Sequence, residues 1–372
     1  MQHQEISFQE VRSIPFFFIV GRPRSGTTLL RTLIDAHPNA ICPPEYAILP
    51  YLYGRFPQFV TEWNDHYSKL FKETMSAPLA FDFWKYEYLG VNEDALSRLL
   101  DDIKGSVRFD EVYKAVYYCS TSLWPKEQIK VIGDKNPVYA LNADRLLKFF
   151  QGAKFIHITR DYRDNFVSMR KFEFEAPNVV LQAYRWKYLT KKLFNLQEKY
   201  PDQFLWIRHE DLANDPEAIL RKVDTFLGIS YDETVLNFHE KKEELLKRGD
   251  SYDLILKYHE SLTQPVNASG VGKWKKVLTD SEVRKADYIV GSLAEKCGYQ
   301  RVYTKGSLGL WFSTLPMSLY GFLLYKAMEL GDRLPYIFKK YFGKALPQLV
   351  KIYRFITGKG NNPVQVRSSN AG

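Results

Sequence analysis

At 372 residues the chain holds one large domain or two, and a hydrophobic share of 45% excludes a disordered chain. Three widely separated cysteines (Cys42, Cys119 and Cys297) exclude a disulfide framework and a Cys-x-x-Cys zinc site, and suit a reducing compartment. Lys and Arg outnumber Asp and Glu by 52 to 43, but residues 305–372 hold ten basic and two acidic side chains, so +8 of the net +9 belongs to a tail and the nearly neutral body offers no footprint for nucleic acid.

Met1–Ser13 is polar, without the apolar run of a signal peptide. Phe16–Val20 is five apolar residues long and predicts a strand buried on both faces of a parallel sheet. Gly21-Arg22-Pro23-Arg24-Ser25-Gly26-Thr27-Thr28 then reads as a tight turn, after which Leu29, Leu30, Leu33 and Ile34 recur at helical spacing. Gly21 and Gly26 are spaced as in a phosphate-binding P-loop, where backbone N–H groups and the helix dipole favour an anion and Thr27 and Thr28 add hydroxyls. A plain glycine-rich turn is the bland alternative. The lysine that an ATPase or GTPase needs after the second glycine is Thr27 here, and the cation has moved upstream to Arg24. A compact oxyanion handled without metal fits better than a nucleoside triphosphate. A serine-hydrolase elbow is excluded, because Pro23 and Thr27 stand where Gly-x-Ser-x-Gly needs glycines.

Tyr46–Lys126 is a long aromatic-rich insertion, expected to be a helical lid over the carboxyl ends of the strands. Further strands are predicted at Ile129–Ile132, Phe155–Thr159 and Phe204–Arg208, and helices at Ala140–Phe150, Asn165–Lys171, Asn178–Tyr200 and Ser281–Cys297. The alternation predicts an α/β fold: a P-loop-type parallel sheet flanked by helices over residues 14–304, with the lid at 46–126 and a helical extension at 305–372. The 15% aromatic content fits a Tyr-rich core, or else aromatic substrate walls. The seven histidines form no metal-spaced pair, and no metal is expected.

Pro23–Thr28 resembles the 5′-phosphosulfate loop of sulfotransferases that use 3′-phosphoadenosine 5′-phosphosulfate (PAPS). The stretch Phe17–Pro50, with Arg31, Asp35-Ala36-His37-Pro38 and Glu45, is most similar to the protein-tyrosine sulfotransferase branch and its bacterial relatives. On its residues alone Glu45 is a loop carboxylate and Lys135, in Gly133-Asp134-Lys135-Asn136-Pro137, a turn lysine. The resemblance implies that Glu45 is the catalytic base, buried enough to hold a proton near working pH, and that Lys135 and Arg24 flank the sulfuryl group as a cationic clamp. Arg160 and Ser168, in the strand–Arg-Asp–helix segment Lys154–Ser168, match a second signature for the 3′-phosphate; an Arg-Asp at a strand end is otherwise commonly a structural ion pair. Thr263–Asn267 and Gly270–Trp274 are similar to a late nucleotide loop, with Asn267 and Lys273 on nucleotide-contacting positions and Trp274 as anchor. Ser261 is a weaker match. His209 occupies the place of a family tyrosine that touches the nucleotide, and is the second candidate for the base.

The resemblance therefore implies transfer of a sulfuryl group from PAPS, a co-substrate gripped by Ser25, Gly26, Thr27, Thr28 and the residues above, to an acceptor hydroxyl on a glycan, lipid or small molecule. A P-loop nucleotide kinase and a non-catalytic nucleotide-binding protein are the alternatives. Secretory-pathway members of this branch usually carry an N-terminal anchor, so the polar start implies a cytoplasmic enzyme. In the tail, Ser307–Tyr325 is uncharged and approaches the roughly 20 residues of a membrane span, but Pro316 is expected to kink it. Tyr336, Ile337, Tyr341 and Phe342 among Lys339, Lys340 and Lys344 read as a basic amphipathic helix. Such a helix lies on an anionic membrane at its inner face, or packs on the body or on the partner of a homodimer.

Overall fold

The computed structural model describes residues 6–77, 79, 85–170, 176–240, 262 and 264–339. Lys171, Ser261, Thr263 and the tail from Lys340 onward, on which parts of the expectations above fall, lie outside the described residues. The chain runs α1 (Phe8–Ser13), β1 (Phe16–Gly21), α2 (Thr27–Asp35), β2 (Ala40–Ile41), α3 (Leu49–Leu52), β3 (Phe59–Val60), α4 (Asp65–Met75), α5 (Glu93–Asp101), β4 (Val107–Arg108) and α6 (Phe109–Tyr118). It continues β5 (Val131–Lys135), α7 (Ala143–Phe149), β6 (Lys154–Thr159), α8 (Tyr162–Met169), α9 (Val179–Lys199), β7 (Phe204–Arg208), α10 (His209–Asn214) and α11 (Pro216–Leu227). Last come α12 (Trp274–Val277), α13 (Asp280–Val290), α14 (Leu293–Lys296) and α15 (Leu308–Asp332).

Among the described residues a five-stranded, all-parallel sheet is ordered β2-β5-β1-β6-β7. The pleat of β1 sends alternate side chains to two cores. Phe16 and Phe18 enter an aromatic core with Tyr113, Tyr117, Tyr139, Phe150 and Phe155, at ring separations of 4.9–6.1 Å. Phe17 and Ile19 pack on the other side with Leu30, Leu33 and Ile34 of α2 and Leu220 and Val223 of α11. Much of the tyrosine therefore serves the core. From β1 the chain turns one way, to β2 and β5; from β6 it turns the other way, to β7. The crevice at the carboxyl ends of β1 and β6 is thus the switch point, where open α/β sheets bind ligands.

Several boundaries shift. The apolar run at Ile129–Ile132 predicts a strand ending too early: β5 continues to Lys135, because Gly133, Asp134 and Lys135 pair with Phe17, Phe18 and Ile19. The helix expected from Asn165 begins at Tyr162, capped by the Asp161 side chain on Arg163 N. Ser281–Cys297 is two helices, broken at Gly291. The insertion is mostly helical but holds the antiparallel pair β3–β4, and α6 is buried along its whole length against the aromatic core, so this part of it is a structural layer.

In the tail, Pro316 lies within α15, which runs on to Asp332. Lys339 does not stand on a solvated basic face: it is 8% exposed, donates to Pro50 O at 2.6 Å and lies 3.6 Å from Asp332. Phe18 touches four rings and is fully buried, so Phe18→Ala should lower unfolding free energy by about 3–5 kcal/mol in urea titration. A loss below about 1 kcal/mol would mean that the aromatic layer can collapse around the cavity.

Candidate active site

The turn after β1 is built around two left-handed residues. Gly26 (φ 92°) precedes α2, and a Cβ there would lie 2.5 Å from His209 Nδ1. Arg24 has φ 69° and is the non-glycine residue with positive φ among the described residues. A side chain in that region costs about 1–2 kcal/mol, which the surroundings must offset. They do so through Asn165 of α8, whose Nδ2 donates to Pro23 O (2.8 Å) and to the buried Ser25 Oγ (3.3 Å). No side chain caps the start of α2, so its leading amides face the turn.

Arg24 Nε donates to Ser168 Oγ at 3.1 Å. Arg160, just past β6, donates to Arg24 O at 3.3 Å and to Gly270 O at 2.7 Å. Arg160 and Ser168 are thus brought together, and Arg24, which the resemblance pairs with Lys135, joins them. Burial, helped by the nearby Arg160, pushes Arg24 down to about 10, so it stays charged at neutral pH. Burial and the same two guanidinium groups push His209 down to about 3. The imidazole is neutral and a very weak base, which counts against it as the proton acceptor. A pocket of two cations and a neutral ring suits an anion.

The late loop is tied to the same helix. Asp164 accepts from Gly272 N (2.6 Å) and Trp274 N (2.8 Å), and Arg163 lies 3.9 Å from the centre of the Trp274 ring. Trp274 is thus held against α8 at both its backbone and its ring. Asn267 folds its own turn, donating to Pro265 O and accepting from Ser269 N, both at 3.1 Å. Lys273 is exposed on this loop.

On the other side of β1, Lys135 is almost fully buried at the end of β5, not in an exposed turn. Its Nζ donates to Glu45 Oε2 at 2.5 Å and to Thr28 Oγ1 at 3.5 Å. Glu45 is less enclosed than the resemblance implies: its side chain is 28% exposed and faces an ammonium. Next to Lys135, Asp134 points into the aromatic core, where its Oδ2 accepts from Tyr113 OH at 3.0 Å. Complete burial pushes its carboxyl up to about 7, against the pull of Tyr113 and Tyr117.

The sulfotransferase family model matches residues 15–233, more than half of the chain. This chain belongs to the sulfotransferase family. It is 25% identical over 296 residues to protein-tyrosine sulfotransferase 1 of Danio rerio, covering 77% of this chain and 73% of the relative. It is 26% identical over 303 residues to protein-tyrosine sulfotransferase 2 of Gallus gallus, covering 79% and 72%. Its fold is similar to the sulfotransferase domain of the Synechococcus PCC 7002 olefin synthase, with a TM-score of 0.53 and 21% identity over 77% of this chain and 95% of that one. The chain is a sulfotransferase enzyme.

Asn165, Asp164 and Asp134 are site-organising residues that sequence reasoning missed. The first two lie within the Arg160–Ser168 signature itself, but their partners are more than a hundred residues away. Asp134 stands past the apolar run that marks β5 in the sequence.

Asp134 makes stability depend on pH. Its unfolded value is about 3.9, so between roughly pH 4 and 7 the folded chain keeps a proton that the unfolded chain has released, and rising pH lowers stability. Asp134→Asn should flatten that slope: the variant gains on the wild type from about pH 4 to 7 and holds a constant difference above. Parallel pH profiles in urea titration would rule the buried charge out. For His209, NMR of ring-labelled enzyme should show no titration of this histidine between about pH 5 and 8. A midpoint near 6.5 would contradict the two-cation environment.

Proposed function

We propose that this sulfotransferase moves the sulfuryl group of PAPS onto an acceptor hydroxyl by in-line displacement, with Glu45 as general base. The acceptor oxygen forms a bond to sulfur as the bond from sulfur to the 5′-phosphate oxygen breaks. The electron pair of that bond leaves with adenosine 3′,5′-bisphosphate, and the acceptor proton passes to Glu45. The observation that carries this reading is the meeting of Glu45, Lys135 and Thr28 at one point, with the Lys135 ammonium within 2.5 Å of the carboxylate and 3.5 Å of the loop hydroxyl. A carboxylate, a cation and the anion-binding turn are what sulfuryl transfer to a hydroxyl requires together.

In this reading Arg24 and Lys135 hold the sulfuryl oxygens and the leaving oxygen. The amides of Ser25, Gly26, Thr27 and Thr28, with the threonine hydroxyls, grip the 5′-phosphate. Arg160, Ser168 and Lys273 hold the 3′-phosphate, while His209, Asn267 and Trp274 border the nucleotide. No metal takes part. The acceptor is a hydroxyl of a glycan, a lipid headgroup or a phenolic small molecule; the relatives' names point to phenolic oxygen as one such class. Unpaired, buried Cys42, Cys119 and Cys297 favour work in a reducing compartment such as the cytoplasm.

Calorimetry should detect adenosine 3′,5′-bisphosphate and not magnesium ATP; the reverse would restore the kinase reading. Glu45→Gln should bind the bisphosphate as the wild type does and lose about 10²–10⁴ in turnover of radiolabelled donor. Normal turnover by that variant would remove Glu45 as the base. Arg24→Gly relieves the positive φ, so it should keep or raise the melting temperature while losing about 10²–10³ in kcat. A large loss of stability instead would make Arg24 a structural residue.

A further inference from the structure

α15 has two apolar faces. Leu310, Thr314, Gly321 and Tyr325 are buried against the body. The Tyr325 ring stacks on Tyr188 of α9 at 4.8 Å, and Tyr184 passes so close to Gly321 that a Cβ there would come within 2.8 Å. That seam lays the helix lengthwise along α9. On the opposite side Trp311, Phe312, Leu315, Leu319, Phe322 and Leu323 are 40–64% exposed. At about 100° per residue they share an arc of roughly 120°. Of the fifteen large apolar side chains that stand exposed among the described residues, twelve lie between Leu308 and Phe338. So dense a patch marks an interaction surface rather than scatter.

Charge selects the partner. Ser307–Tyr325 carries none, and beyond the described residues 340–372 carry six Lys and Arg and no acid. With +8 on residues 305–372, a second copy would bring like charge against like, whereas an anionic bilayer complements it. A membrane span would need both faces of the helix, and one is committed to α9. The end of the segment is fastened to the body as well: Arg145 pairs with Asp332 at 3.1 Å, and Arg55 lies 4.5 Å from the centre of the Tyr336 ring.

We propose that the outer face of α15 is a monotopic membrane-docking surface, lying in the boundary between headgroups and acyl chains of an anionic bilayer whose charge complements the +8 of residues 305–372. Trp311 has the amphipathic ring that such a depth favours.

The test is flotation of the full chain with vesicles of phosphatidylcholine, alone or mixed with phosphatidylglycerol. The chain should float with the mixed vesicles at least about tenfold more than with phosphatidylcholine alone, and high salt should weaken that binding. The double variant Phe312→Glu, Leu319→Glu should lose about tenfold or more of it and still bind adenosine 3′,5′-bisphosphate by calorimetry, which shows that the body is folded. Unchanged flotation of the double variant overturns the proposal, as does a wild-type chain that floats with neither vesicle. A dimer mass in light scattering without vesicles, abolished by the same substitutions, would show instead that α15 is a seam between copies.

Discussion

The crowding of like charge at the carboxyl ends of β1 and β6 is the constraint around which the rest of the site is arranged. The two guanidinium groups of Arg24 and Arg160 are held within reach of each other and of the neutral His209 ring. Arg24 is held in the left-handed region and pushed down to about 10; His209 is pushed down to about 3. The carbonyls of Arg24 and Gly270 accept from the Arg160 guanidinium, and Ser168 accepts from Arg24. These dipoles partly answer the repulsion without cancelling the charge. The result is a preorganised cationic pocket, whose cost is carried by a sheet packed on both faces.

The opposite wall depends on the pleat of β5. Consecutive residues on a strand point to opposite sides, so Asp134 enters the aromatic core where Lys135 enters the crevice. Tyr113, hydrogen-bonded both to Asp134 and to Tyr117, ties the strand end to α6. The lysine that meets Glu45 is thus mounted on a buried, doubly anchored strand end rather than on a loop. Such mounting limits how far the ammonium can stray from the carboxylate.

Local features of the chain were the legible ones. The apolar run of β1, the spacing of Gly21 and Gly26, and the Arg-Asp after β6 all declare themselves within a dozen residues, and they point to the α/β class and to the turn. What escaped depends on partners far away in sequence. Asn165 acts on Pro23 and Ser25, more than a hundred residues upstream, and Asp164 on Gly272 and Trp274, more than a hundred downstream. The inward turn of Lys339 depends on Pro50 O. The extension of β5 through Gly133, Asp134 and Lys135 has no hydrophobic signature, because β1 dictates it through backbone pairing.

The strand order explains why a cation at position 24 can replace one at position 27. Thr27 is buried in the first turn of α2, whereas position 24 lies in the turn ahead of the helix, where the side chain reaches sideways to Ser168 on α8. The guanidinium therefore sits on the β6 side, next to Arg160. Because β1 lies between β5 and β6, the other flank of the turn is met by Lys135, through Thr28. Positive charge thus flanks the turn from the strands on either side of β1 rather than from the helix that follows it, and on the β5 side it is met directly by the Glu45 carboxylate.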